Sequence, residues 1–230
     1  MDIYLKVAQL VHAGDFSQVK KILNNINHPN KMSLEMQCVQ SAVSCQRYDM
    51  VEYFIANLPS RADTAQFFKI AIRRQDHKMV DLLFKNRPNH KVCSEALMEA
   101  IEHDDIQSIK KLTPLSWFPS EPDHYVIRAV HLGCLQSAQY LLGVQPLNSM
   151  VGVLKAAIHA NPTAQQMLDV VMDYATLTDL KEVADQYSRK SNNPLMQRLF
   201  AHVDILTQHQ TISAAIAPPQ AQIQPNPRKI

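Results

Sequence analysis

Only 4 of the 230 residues are glycine, and none of them builds a GxGxxG turn or a P-loop. HExxH and G-x-S-x-G are missing as well, so no familiar catalytic motif is written into the chain. The four cysteines, Cys38, Cys45, Cys93 and Cys134, form no CxxC pair, which makes free thiols the expectation. No Asn-x-Ser/Thr acceptor occurs, because Pro162 disqualifies Asn161-Pro162-Thr163. No apolar run approaches the roughly 20 residues that a bilayer-spanning helix needs. The stretch from Met1 to Phe16 has an acidic second residue in place of the charged-then-apolar layout of a signal peptide. Cytoplasm is therefore the expected compartment, with no direct membrane insertion. Charge is nearly balanced too: 23 basic against 21 acidic side chains leave a net +2. That is too little to draw nucleic acid, a membrane surface or an acidic substrate by bulk attraction.

What is present is an ordinary folding composition, 46% apolar and 19% charged, enough for one globular core or a single stack of repeats. A period decides between them. Taking Ala71 as an anchor, equivalents fall at Leu10, Ala42, Ala100, Ala129 and Ala157, with spacings of 32, 29, 29, 29 and 28 residues. Each is followed by Val or Ile. Three residues earlier, one turn back on the same helical face, stand Val7, Val39, Phe68, Leu97, Val126 and Leu154. Nine after the anchor come Val19, Val51, Val80, Ile109 and Ala138; twelve after it, Ile22, Phe54, Leu83, Leu112 and Leu141.

The small anchor has a packing reason, since a methyl side chain lets two crossing helices approach closely. Leu10 departs from it, as suits a terminal repeat with a neighbour on one side. The positions four and five after the anchor read as turns: Gly14-Asp15, Gln46-Arg47, Gln75-Asp76, Asp104-Asp105 and Gly133-Cys134. There a Gly can end one helix and an Asp can cap the next. Prolines mark the connections, at Pro29, Pro59, Pro88, Pro114, Pro119, Pro122 and Pro146. The sixth copy is looser, with a second helix expected over Ala164 to Tyr174. A seventh pair is expected from Leu180 to Tyr187 and from Pro194 to Leu206, with Leu195, Leu199, Val203 and Leu206 on one face. After Thr211 the composition turns to Ala, Pro and Gln, which predicts a disordered tail over 211–230.

The frame of Ala129-Val130, Gly133-Cys134, Ser137-Ala138 and Leu141-Leu142 resembles the core of an ankyrin repeat, and the copy from Thr64 to Lys85 fits it without insertion. The Thr-Pro-Leu-His opening is absent and the period falls short of the ankyrin 33, so the hairpin fingers are expected to be shortened to loops. Other helix-pair arrays share these features. The fold class expected is all-α, a helix-pair repeat solenoid of about six to seven repeats over residues 1–210. Such a resemblance implies binding without chemistry or cofactor: a non-catalytic adaptor or scaffold for a protein partner, or a subunit of a larger complex. Abundant Gln, Asn, His and Met beside such an array resembles proteins of intracellular bacteria. An adaptor of a type IV-like secretion machine, or a secreted effector, is thus an alternative. An enzyme with a site built across repeats is the alternative of another class.

Candidate site residues follow from local composition. From Ala129 to Leu168 the only charged side chain is Lys155, and such a surface either packs within the chain or binds a partner. Just before it, the stretch Thr113 to Pro119 reads as a loop holding Leu115, the single tryptophan Trp117, and Phe118. A loop Trp is often an interface anchor. Together with His131, Leu132, Tyr140 and His159 these make the expected partner-binding region. His12, His131 and His159 share one repeat position, which reads as a surface column rather than a metal site. A second patch is basic, Lys69, Arg73, Arg74 and Lys78. Its ordinary reading is compensation by the acidic fourth copy, with Arg73 beside Glu102; partner steering, or nucleic-acid binding with steep salt dependence, is the functional one. Cys45 and Cys134 lie near turns, and no base is evident for either in the sequence.

Overall fold

The computed structural model describes residues 3–25, 31–58, 64–116, 122–144, 147, 149–160, 163–187, 189 and 192–216. Among these it is all-α, with fourteen helices and no strand. They are α1 (Ile3–Ala13), α2 (Phe16–Asn25), α3 (Lys31–Ser44), α4 (Tyr48–Asn57), α5 (Ala65–Arg73), α6 (His77–Phe84) and α7 (His90–Glu102). Then follow α8 (Ile106–Ser116), α9 (Pro122–Leu132), α10 (Leu135–Val144), α11 (Val151–Ile158), α12 (Ala164–Tyr174), α13 (Leu177–Asp185) and α14 (Pro194–Ile216). Consecutive helices pack as seven hairpins. Each odd-numbered helix also packs on the next odd one from α1 to α13, and each even-numbered helix on the next even one from α4 to α14. The result is two rows of helices with one apolar layer between them.

The repeat frame is that layer. All five alanine anchors are at most 1% exposed, and the residues three before and nine after are buried in every copy that has them. Leu10 and Ile22, in the first copy, are half-buried, and Leu23 takes the place that Ile22 was expected to fill.

The turn chemistry is uniform across five copies, which is what makes the helices of each pair antiparallel at a fixed offset. The fourth residue after the anchor has positive φ in each: Gly14 (81°), Gln46 (55°), Gln75 (54°), Asp104 (50°) and Gly133 (75°). Its N–H donates to the carbonyl one residue after the anchor, at 2.8–3.2 Å. The following N–H, of Asp15, Arg47, Asp76, Asp105 or Cys134, donates 2.9 Å to the anchor carbonyl itself. These two bonds are the Schellman closure of a helix end. In three copies the next helix then starts on a side-chain cap of its own: Asp15 accepts from the Gln18 N–H at 3.1 Å, Asp76 from that of Met79 at 2.9 Å, and Asp105 from that of Ser108 at 3.2 Å. The Asp15 carboxyl is held below its usual pKa, first by the Gln18 N–H.

At Gly133 the positive φ meets a second constraint, because a Cβ there would collide with Oγ1 of Thr163 in the next pair. Gly133→Ala is expected to lower stability by about 1–2 kcal/mol. Gly143 lies inside α10, where a Cβ would meet only the Tyr174 hydroxyl at ordinary contact distance. Gly143→Ala should therefore be neutral or stabilising by up to about 1 kcal/mol. Urea denaturation of the two variants side by side checks both signs.

Several boundaries differ from the sequence expectation. Thr113 to Ser116 belong to α8 rather than to a loop, and Pro114 sits inside the helix. Pro114 withholds the N–H that would otherwise reach the Lys110 carbonyl; one residue earlier, Thr113 is buried and its hydroxyl donates to the Ile109 carbonyl at 2.7 Å. His90 Nδ1 reaches the Leu115 carbonyl at 2.6 Å, so this C-terminal oxygen is satisfied from α7. Pro122 opens α9 instead of separating helices, the first-turn position where its missing N–H costs nothing. α14 continues to Ile216, past the expected change at Thr211, because its Ala and Gln residues favour helix and no proline intervenes before Pro218. The remainder of the expected tail, 217–230, lies outside the described residues.

The seventh pair begins at Leu177 rather than Leu180, on a capping box in which Thr176 and Asp179 cap each other's N–H groups. On α14 the buried face is Met196, Leu199, Phe200 and Val203, with Leu195 and Leu206 half-buried at its flanks. α12 spans Ala164–Tyr174 as expected.

Candidate functional site

The row arrangement separates the expected partner-binding residues into two groups. His131 and Leu132 end α9, and His159 caps α11, so all three belong to the odd row at its turn edge. His131 and His159 are exposed, and Leu132 is 38% exposed. Leu115 and Tyr140 are on α8 and α10 of the even row. Leu115 is 42% exposed, while Tyr140 is half-buried with the Lys110 ammonium 5.8 Å from its ring centre. Trp117 and Phe118 lie outside the described residues. Val144, the last residue of α10 in the even row and so at the edge opposite these turns, is exposed as well.

The basic patch is occupied by intramolecular partners. Lys69 pairs with Glu95 at 3.1 Å, and Arg73 forks onto Glu99 at 2.5 and 3.2 Å. Arg74 donates to the Ser44 carbonyl, and Lys78 lies 4.4 Å from the Tyr48 ring centre. Compensation by the fourth copy is thus present, with the partner one turn away from the one expected. Arg73 meets Glu99, and Glu102 instead meets Arg128 of the fifth copy at 2.6 Å. Glu99 is buried and also lies 3.2 Å from His103 Nε2. The fork onto Glu99 raises the Arg73 pKa, first through hydrogen bonding and then through charge.

Two kinds of arrangement across copies, carboxylate ties and a thiol–imidazole pair, have no signal within a single copy. Asp76 accepts from Tyr48 Oη at 2.9 Å and Gln46 Nε2 at 3.0 Å, so a helix cap also ties the third pair to the second. Burial, followed by hydrogen bonding to Asp76, holds the Tyr48 pKa up. Asp104 reaches forward, accepting from the Ser137 N–H at 2.8 Å and from its hydroxyl. That carboxylate caps α10, whose own N-cap residue is Cys134.

The second is Cys45, whose Sγ lies 2.8 Å from His12 Nδ1 in the preceding pair. Nothing near Cys45 in the sequence marks His12 as its base. Among the described residues no three His, Cys, Asp or Glu side chains converge as metal ligands, and no helix is long and apolar enough to cross a membrane. No family model, curated protein or solved structure matches the chain.

Proposed function

We propose that the two rows form an ankyrin-like solenoid that acts as a protein-binding adaptor through the turn edge of its fifth and sixth pairs. The observation that carries this reading is a contrast in how the surface is used. In the third and fourth pairs most of the exposed charges have partners within the chain. Along the turn edge of the fifth and sixth, Leu132, His131 and His159 are exposed, and from Ala129 to Leu168 the only charged side chain is Lys155. Exposed apolar and uncharged side chains together are what a protein interface keeps at its centre. Trp117 and Phe118, which precede these pairs in the chain, are proposed as further anchors on residue type alone.

Leu132→Arg tests the reading without touching the core, since Leu132 is outside the buried frame. A partner cross-linked to and purified with the wild-type chain should be retained at least about tenfold less well by this variant, the scale of a hot-spot loss. Trp117→Ala/Phe118→Ala should act in the same direction. Helical circular dichroism should be unchanged in both. Equal retention by wild type and both variants would move the interface elsewhere.

A further inference from the structure

Four thiols share one chain and differ in surroundings. Cys38 and Cys93 are buried. Burial, with Glu35 adding to it, pushes the Cys38 thiol up to about 12, and burial raises Cys93. Cys134 is half-buried but raised by burial and then by the Asp104 carboxylate. Cys45 is likewise half-buried and faces an imidazole instead of a carboxylate. The backbone that carries the imidazole is itself tied. Arg47 donates 2.8 Å to the His12 carbonyl, tying the last turn of α1 to the turn that follows Cys45. The pair opens onto a groove between α1 and α3 lined by Leu5, Gln9, Gln37, Gln40 and Ser44. Three amides and two hydroxyls, those of Ser41 and Ser44, give this groove hydrogen-bonding groups for a peptide backbone, and no Lys, Arg, Asp or Glu lines it.

We propose that Cys45 and His12 form a thiol-modification site that exchanges with small peptide disulfides entering this groove. With the His12 proton on Nε2, Nδ1 takes the Cys45 proton. The thiolate attacks one sulfur of the disulfide, a bond forms between Cys45 Sγ and that sulfur, and the disulfide bond breaks. The released thiolate takes the proton from His12 and leaves as a thiol. The incoming disulfide is the oxidant, so nothing further is consumed. Because the two side chains come from different pairs, the site exists only when the first two hairpins are stacked.

Oxidised glutathione and iodoacetamide are the probes, with peptide mass mapping of all four cysteines over time. Both should modify Cys45 at least about tenfold faster than Cys134, a modest demand on a positioned base. His12→Asn should bring Cys45 down to within about threefold of Cys134, the base contribution being lost. Cys93 reports folding in the same digest, and His12→Gln replaces His12→Asn if Cys93 becomes labelled. Equal rates at Cys45 and Cys134, or a Cys45 rate indifferent to both His12 variants, would overturn the site. Fast iodoacetamide labelling with slow glutathione exchange would overturn the assignment to peptide disulfides.

Discussion

Phe68→Ala is expected to lower the free energy of unfolding by about 3–5 kcal/mol, the range for deleting a fully buried aromatic ring. Phe68 is completely shielded from solvent in α5 and meets Phe84 of α6 edge-on, with ring centres 5.3 Å apart. The deletion therefore removes a contact inside the third hairpin as well as apolar burial between hairpins. The same frame position is Val7 in the first copy, also buried but smaller. Val7→Ala should cost less than half as much, given a removed volume of two methyl groups at about 0.8 kcal/mol per buried carbon. Chemical denaturation with two probes, far-ultraviolet circular dichroism and exposure of Cys93, measures both. A Phe68→Ala loss below that of Val7→Ala would show that the third hairpin relaxes around the cavity, contrary to the packing described.

Asp104→Ala is expected to cost about 2–3 kcal/mol, a lost helix cap plus a buried donor left unpaired. Ser137 is fully buried and both its N–H and its hydroxyl depend on Asp104. The local residue cannot replace it, because Cys134 occupies the position held by Asp15, Asp76 and Asp105 in other copies. Two controls separate the cap from backbone effects at the positive φ of Asp104. Asp104→Asn keeps an acceptor and tolerates that conformation, so it should retain most of the stability. Cys134→Asp in the Asp104→Ala background should recover at least half of the loss by restoring a cap within its own pair. Failure of both controls would place the effect in the turn backbone instead.

The frame residues were legible from the sequence because burial between stacked helices repeats with the chain. Ala71, Phe68, Val80 and Leu83 recur at fixed offsets, and all are buried. The turns were legible at Gly14 and Gly133, where the residue type demands positive φ. Gln46 and Gln75 adopt it without any such demand, being held there by the same pair of closing hydrogen bonds. Partners across copies were less accessible, since a comparison of equivalent positions assumes that neighbouring helices are in register. They are staggered: the position of Arg73 and Glu102 meets a residue three earlier in the next copy, Glu99 and Arg128. The same position at His12 meets Cys45, one later in the next copy. Residue columns therefore predicted the right helices and the wrong side chains. For the binding surface the limit was different in kind, since charge poverty identified a stretch of chain but not the row to which each residue belongs.

The two-row packing has a kinetic corollary. Each of the principal helix contacts joins elements one or two places apart in sequence, so no step of assembly has to close a loop much longer than one hairpin. Loop-closure entropy is met in small instalments as neighbours dock, and local connectivity of this kind goes with rapid folding. A chain of this length need not wait for its two ends to meet: pairs synthesised first can stack while later ones are still emerging, and a pulling force on the termini would peel hairpins away in sequence.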